Sequence, residues 1–328
     1  MSPLLKTKDL RIEFRNDDGI WAEALCGVDL SLDPGEVLGI VGESGSGKSI
    51  AMMALLQLLP RGARVSGSAR FKGQELIGMP PARIRQLRGK SIGCVFQDPL
   101  SAFNSVLRIG DQIAEAITLH DRSMSKRDAL KEAERLFELV AIPQPAKRIR
   151  QYPHEFSGGM RQRAMIAMAL ANRPELLIAD EPTTALDVTV QAQILDLLRD
   201  LRKDLGIGMV LITHDLGVVA GIADKIAVMY GGRIVERGTT DDVFYHTAHP
   251  YSAGLIGAVP SLDGTGKLQQ IDGTPPSIFN RPSGCSFHPR CSQVEEICRM
   301  QTPELESVGE TDCACHLPLV TRDAKVAE

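Results

Sequence analysis

Residues 42–49 read Gly42-Glu43-Ser44-Gly45-Ser46-Gly47-Lys48-Ser49, a loop rich in glycine that ends in a lysine and a serine. An apolar run at 37–41, which predicts a core strand, comes before it, and a predicted helix from Lys48 to Leu59 follows it. Glycines let a backbone curl around phosphates with its N–H groups pointing inward, and the helix N-terminus adds partial positive charge. The strand–loop–helix order is that of a P-loop, so the sequence predicts a nucleoside triphosphate site.

The side chains of this loop have separate expected roles. Lys48 is expected to reach the β- and γ-phosphates, and the hydroxyl of Ser49 is expected to hold Mg²⁺. The rest of the loop is expected to contact the phosphates mainly through the backbone, at Gly42, Ser44, Gly45, Ser46 and Gly47.

A second apolar strand, at 176–179, ends in two acids. Asp180 is expected to bind Mg²⁺ directly or through water, and Glu181 to act as the general base, a role worth about 10²–10⁴ in rate. Two further polar residues follow predicted strands. Gln97 can donate to a water and accept from Mg²⁺-bound water, and a neutral His214 can contact the γ-phosphate.

Composition limits the classes of protein that fit. The chain has 328 residues, of which 43% are hydrophobic and 24% charged, enough for more than one structural unit. Its net charge of −4 is not the basic footprint of a nucleic-acid binder. No apolar run approaches the roughly 20 residues of a membrane helix, and the first residues do not resemble a signal peptide. We therefore expect a protein of the cytosol, or one held by a partner on the cytosolic face of a membrane.

The remaining pattern predicts an α/β architecture. Short apolar runs and turns over 4–41 predict an antiparallel β region, and 100–172 is predicted to be helical. Within it, Ser125 and Asp128 have the spacing of a capping box ahead of a helix. The buried parallel strands 176–179 and 209–213 are predicted to flank a helix at 188–205, and Gly231-Gly232 to form a hairpin.

Six nucleotide-site motifs follow one another along the chain. They are the Walker A loop at 42–49, the Q-loop residue Gln97, the signature Phe156-Ser157-Gly158-Gly159-Met160, Walker B at 176–181, the D-loop Ala185-Leu186-Asp187 and the switch residue His214. With them, residues 4–240 resemble the nucleotide-binding subunit of an ATP-binding cassette (ABC) transporter. The resemblance implies a P-loop NTPase fold with a RecA-like parallel-sheet core, an antiparallel β subdomain and a helical signature subdomain.

The resemblance also implies a mechanism. ATP with Mg²⁺ would lie between the Walker A loop of one subunit and the signature of another, where Ser157, Gly158 and Gly159 cap the γ-phosphate and Asp187 lies at the dimer seam. Phe156 stands where the family usually has Leu, and Met160 where it has Gln, but neither change removes a backbone N–H. Adenine should stack on Phe14, with Trp21 as the competitor and a packed core aromatic as the alternative for either.

Residues 241–328 are predicted to form an appended, loop-rich unit behind a nucleotide-binding domain at 1–240. His249-Pro250-Tyr251, Gly284–Cys291 and Ala314-Cys315-His316 resemble the C-terminal extension of oligopeptide and dipeptide permease ATPases. Four cysteines are candidate metal ligands: Cys285, Cys291, Cys298 and Cys315. The wide spacing of these cysteines along the chain suits a 4Fe–4S cluster at least as well as a zinc ion. Free thiols are the third interpretation.

The leading expectation is therefore the ATP-hydrolysing subunit of a peptide importer. The family resemblance implies a second ABC ATPase chain, two transmembrane permease subunits contacted through Gln97 and the helical region, and an extracytoplasmic substrate-binding protein. Relatives of this architecture also serve nickel, glutathione, opine or cationic-peptide import. A non-transport ABC ATPase and a redox-gated transporter are the other readings.

Overall fold

The structure is a computed structural model that describes residues 2–259 and 271–319. Its strands are β1 (Leu5–Arg15), β2 (Trp21–Val28), β3 (Ser31–Leu32), β4 (Val37–Val41), β5 (Arg64–Phe71), β6 (Gln74–Glu75), β7 (Ile92–Val95), β8 (Leu176–Asp180), β9 (Gly208–Thr213), β10 (Lys225–Tyr230), β11 (Arg233–Thr239), β12 (Glu306–Val308) and β13 (Thr311–Cys313). Its α-helices are α1 (Lys48–Leu55), α2 (Pro81–Leu87), α3 (Pro99–Ala102), α4 (Ile109–His120), α5 (Lys126–Leu139), α6 (Pro145–Arg148), α7 (Gly158–Leu170), α8 (Val188–Leu205), α9 (Leu216–Ala220), α10 (Thr240–Tyr245), α11 (Pro250–Gly257) and α12 (Glu296–Met300).

The chain divides into two compact units, each built from separate stretches of sequence. The helical unit contains Leu32–Val37, Gly78–Ile212 and the first residues of the chain. The P-loop unit contains Leu5–Ser31, Leu38–Ile77 and the described residues from Thr213 onward. The linear boundary expected at residue 240 stays a prediction, and 260–270 and 320–328 of the predicted C-terminal unit lie outside the described residues.

The helical unit has three parallel strands in the order β9-β8-β7. Val95 pairs with Ala179 and Ala179 with Leu211, so β7 and β9 flank the strand that ends in the two acids. These strands are almost wholly buried apolar runs, as expected for a parallel sheet covered on both faces.

Helices α4, α5 and α7 of this unit pack around buried apolar side chains. The hydroxyl of Ser125 accepts a hydrogen bond from the Asp128 N–H at 3.2 Å, which confirms the expected start of α5. The aromatic rings of Phe137 and Phe156 meet edge to face at 6.1 Å. Phe156 is buried at this contact, so the departure from the usual Leu of the signature fills a space in the core.

The P-loop unit holds two groups of strands. One is antiparallel, with the order β2-β1-β5-β6, and the other has the order β12-β13-β11-β10-β4. In the second group β10 runs parallel to β4, and Gly231 and Gly232 form the expected hairpin between β10 and β11 with φ values of +54° and +80°.

Three features differ from the sequence expectations. Helix α1 ends at Leu55 rather than Leu59, because Gln57 has a left-handed backbone with φ +50° and its side chain donates to Leu76 O at 2.9 Å. Strand β5 was not expected, since few of its residues are apolar. The C-terminal region is loop-rich but also contributes β13, which extends the sheet by pairing Cys313 with Glu236 of β11.

Candidate active site

The P-loop leaves the buried strand β4 and leads directly into α1. The backbone of Gly42 has φ +155°, and a Cβ added there would lie 2.1 Å from Met229 O. Only glycine fits such a close approach of two backbones. Residue 42 therefore keeps the start of the loop against β10.

Lys48 lies inside this loop with its side chain buried. Its Nζ donates to Gly42 O at 2.5 Å and to Glu43 O at 2.9 Å. The lysine ammonium thus lies against two backbone carbonyls of its own loop. The hydroxyl of Ser46 is also buried and finds no hydrogen-bond partner among the described residues.

Glu181 of the helical unit is held by two side chains. Gln97 Nε2 donates to Glu181 Oε2 at 3.0 Å, and Thr184 Oγ1 donates to the same oxygen at 2.8 Å. The Glu181 N–H donates to Ile212 O at 2.9 Å, which extends the pairing of β8 with β9 by one residue. The structure therefore brings Gln97 and Glu181 together, and the sequence did not indicate Thr184 as their neighbour.

The signature and D-loop residues begin two neighbouring helices of the same unit. Ser157 caps α7 by accepting from Met160 N at 3.3 Å, and Asp187 caps α8 by accepting from Val190 N at 2.9 Å. A Cβ at Gly159 would lie 2.7 Å from Val190 Cγ1, so a larger residue there would force the Val190 side chain or α8 to shift.

Three other candidates belong to the P-loop unit. His214 directly follows β9 and is exposed. Phe14 on β1 and Trp21 on β2 are both partly exposed, and the Arg64 guanidinium lies 3.7 Å from the centre of the Trp21 ring. One face of Trp21 is thus already covered by a cation.

Known proteins resemble this chain along nearly its whole length. The family model described as ABC transporter matches residues 25–184, and the model of the oligopeptide/dipeptide transporter C-terminal region matches residues 235–298. The oligopeptide transport ATP-binding protein OppD of Escherichia coli (strain K12) is 50% identical over 317 residues, which are 96% of this chain and 94% of the relative. The chain belongs to the ABC transporter family.

Further relatives and solved structures agree with this. The protein of the same name from Bacillus subtilis (strain 168) is 49% identical over 94% of this chain and 87% of its own length. A dimeric structure of the ATP-binding cassette MJ0796 bound to ADP and Pi is 26% identical with a TM-score of 0.65, covering 72% of this chain and 98% of the cassette. A structure of cbiO1 from Clostridium perfringens is 28% identical with a TM-score of 0.60. It covers 74% of this chain and 91% of the cbiO1 chain. The protein is an ABC-family ATPase that uses ATP with Mg²⁺.

The cysteines of this ABC protein's C-terminal extension gather at one place. Cys285, Cys291, Cys298 and Cys315 line a single small cavity with His249 and Phe287. All seven cysteines are free thiols. In the part of the chain that the structure describes, no group of three or more His, Cys, Asp or Glu side chains is placed to hold a metal ion.

His249 is buried against this cavity. Its Nδ1 accepts from the Tyr251 N–H at 3.0 Å, so a neutral ring carries its proton on Nε2. That Nε2 is buried and has no hydrogen-bond partner within residues 2–259 and 271–319. A buried donor without an acceptor is costly, so an acceptor placed in the cavity would stabilise this ring.

Burial weakens the acidity of three of the cavity-lining thiols. It raises the pKa of Cys285 and Cys291, and raises that of Cys315 to about 11. Desolvation likewise raises the pKa of Cys94, on β7, to about 12. Thiolates react with oxidants much faster than thiols do, so a raised pKa at Cys285, Cys291 and Cys315 counts against a redox-sensing role for these three.

The P-loop unit contains one part of the sequence-predicted residues: those of the P-loop, His214, Phe14, Trp21 and the four cysteines. Gln97, Asp180, Glu181, Ser157, Gly158, Gly159 and Asp187 fall in the helical unit. Sequence reasoning missed the contacts that Tyr251 and Arg290 make with Glu43 of the P-loop. No local signal identifies them, because the residues are far apart in the chain.

Proposed function

We propose that this chain is the ATP-hydrolysing subunit of an oligopeptide importer. The observation that carries the proposal is the identity of 50% to an oligopeptide transport ATP-binding protein over 96% of the chain, with a match to the peptide-transporter C-terminal region at 235–298. Nickel, glutathione, opine and cationic-peptide import remain the alternatives. They differ in cargo and share the same ATPase role.

The catalytic roles follow from the chemistry of the side chains. Glu181 polarises the attacking water, and Gln97 and Thr184 keep its carboxylate in one orientation. Lys48 and the backbone N–H groups of 42–49 bind the phosphates. Ser49, Asp180 and Gln97 would hold Mg²⁺ directly or through water, and His214 would contact the γ-phosphate.

A second cassette completes the site in this proposal. Ser157, Gly158 and Gly159 lie at the N-terminal end of α7, where free N–H groups and the helix dipole favour an anion. They would cap the ATP of the facing cassette, with Asp187 at the seam. The structures of a similar cassette, MJ0796, are dimeric, which supports a site shared by two cassettes. We propose a heterodimer with a different ATPase chain, and adenine stacked on Phe14.

Membrane attachment is proposed to occur through permease subunits on the cytoplasmic face of the inner membrane. No helix among the described residues is long and apolar enough to cross a membrane. Just after Gln97, Leu100 and Val106 are 55% and 75% exposed. Apolar side chains at this place suit a docking surface for two transmembrane permeases, which an extracytoplasmic binding protein would supply with substrate.

Uptake of labelled peptides tests the cargo. Cells lacking the gene, and cleared of redundant permeases, are complemented with the wild type and given di-, tri- and longer peptides. We expect oligopeptide uptake to fall in the deletion strain and to return with the wild-type copy. Unchanged uptake of every peptide would contradict peptide import. Nickel, glutathione and opines would then be tested with the same strains.

We also propose that the four cavity-lining cysteines ligate a 4Fe–4S cluster, with zinc as the alternative. In a cubic cluster each cysteine binds its own iron, whereas a zinc ion needs all of its sulfurs about 2.3 Å from one centre. The proposal is supported by the four cysteines lining one cavity and by the buried His249 Nε2, which could donate to a cluster sulfur. A bound cluster would cross-link an extension that has little core of its own.

Metal analysis of anaerobically purified protein tests this ligation. We expect about four irons and four sulfides per chain, lost in Cys298→Ala and kept in the matched control Cys313→Ala. Cys313 is a buried neighbour on β13 that does not line the cavity. Zinc in place of iron would select the alternative, and the absence of both elements would reject the site.

A further inference from the structure

The C-terminal extension contacts the nucleotide loop at Glu43, the second residue of the P-loop. The Glu43 N–H donates to Tyr251 Oη at 2.9 Å. Arg290 Nη1 donates to Glu43 Oε2 at 2.6 Å and Nη2 donates to Oε1 at 3.0 Å. The backbone and the side chain of one loop residue are thus both held by the extension, and the Arg–carboxylate pair is bidentate.

Both contacting side chains are themselves fixed. The Arg290 side chain is 5% exposed and also donates to Ile271 O, Asp272 O and Tyr230 Oη. Tyr251 is fully buried, with its ring 4.6 Å from that of Tyr230. Side chains held this way lose little further freedom when the loop binds a ligand, so they can hold Glu43 in one position.

The position of Glu43 matters for two reasons. Its carbonyl oxygen accepts from Lys48 Nζ at 2.9 Å, so a shift of residue 43 moves an acceptor of the phosphate-binding lysine. Its carboxylate is a negative charge on a loop that binds a polyanion. A bidentate guanidinium both neutralises that charge and turns it toward the extension.

We infer that Arg290 and Tyr251 are positioning residues of the ATP site, which hold the P-loop in its phosphate-binding shape through Glu43. The extension is therefore part of the working nucleotide site. We call the contacts of Arg290 and Tyr251 with Glu43 the clamp. Arg290 directly precedes Cys291, so the arginine of the clamp lies in the segment that carries the cavity-lining cysteines. The inference rests on the ATPase activity alone and holds whether or not the cysteines bind iron.

Kinetics of the complete transporter, purified through this chain, test the clamp. Arg290→Met is expected to raise the KM for ATP about tenfold or more and to change kcat much less. The variant loses a contact that shapes the loop for ATP binding, and bound ATP and the transition state need that shape equally. Arg290→Lys keeps the positive charge but cannot form the bidentate pair, so its KM is expected to lie between those of the wild type and Arg290→Met. Arg299→Met is the matched control, an exposed arginine of the same segment that should leave KM unchanged.

Two milder variants keep the test decisive if Arg290→Met fails to fold. Tyr251→Phe keeps the buried ring and removes only the oxygen that accepts from Glu43, and Glu43→Gln removes the partner charge. We expect Tyr251→Phe to raise KM several-fold, and Glu43→Gln to raise it less, because that change also removes a negative charge close to the phosphates. Glu43→Gln combined with Arg290→Met should show no more than the larger single effect. Unaltered KM in the folded variants, or additive effects, would overturn the clamp while leaving the ATPase assignment in place.

Discussion

Glu181, the proposed general base, is held in one position by its neighbours. Its backbone lies in the left-handed region with φ +46°, which costs a non-glycine residue about 1–2 kcal/mol. The N–H bond to Ile212 O and the two donors to Oε2 hold it there. A strained residue that its neighbours keep in place is typical of a functional site.

Replacement of Glu181 by Gln is therefore expected to separate binding from turnover. The amide oxygen still accepts from Gln97 and Thr184, but the group can no longer take a proton from water. Phosphate release should fall by about 10²-fold or more, while ATP titration gives a near-normal Kd. Lys48→Ala is the contrasting variant and should weaken ATP binding itself. Turnover close to the wild type in Glu181→Gln would rule out this residue as the base.

At this scale the sequence predicts the types of the site residues, because P-loop and Walker B chemistry leave few choices. It did not predict the partners of those residues. Tyr251 and Arg290 contact Glu43 across 208 and 247 positions of sequence, and local patterns carry no information over such distances. Thr184 was missed for a different reason, because a threonine in a turn is most often an ordinary surface residue.

Helix α8 shows why some elements are predictable to their ends. The side chain of Asp187 caps its first turn and Gly206 ends it with φ +63°, so both of its predicted limits are confirmed. Strand β5 carries no such signals. Its only buried apolar residues are Ala69 and Phe71, and its place is set by pairing with β1.

The contact of α7 with α8 gives a prediction for these elements. Gly159→Ala would place a methyl group 2.7 Å from Val190 Cγ1, so we expect a loss of about 1–3 kcal/mol in the free energy of unfolding and lower ATPase activity. Denaturant unfolding and phosphate release measure both. Val190→Ala in the same chain removes the methyl group that clashes and should restore stability. If the double variant is as unstable as Gly159→Ala, crowding is not the cause.

For the whole molecule, the C-terminal extension is the least predictable part. Its cysteines could be singled out from the sequence, but β13 and the contacts to the P-loop depend on how distant segments meet. The extension joins the sheet at Glu236, whose buried carboxylate accepts from Ala248 N at 2.6 Å and His249 N at 3.1 Å. Burial raises the pKa of Glu236, and these bonds oppose that shift.

Peptide-stimulated ATP hydrolysis by the complete transporter tests the central claim most directly. The complex is purified through a tag on this chain, reconstituted with its binding protein, and assayed for phosphate release with and without oligopeptides. We predict that oligopeptides raise the rate, that nickel and glutathione do not, and that Glu181→Gln abolishes it. Phosphate release that persists in Glu181→Gln, or that no peptide alters, would contradict the account.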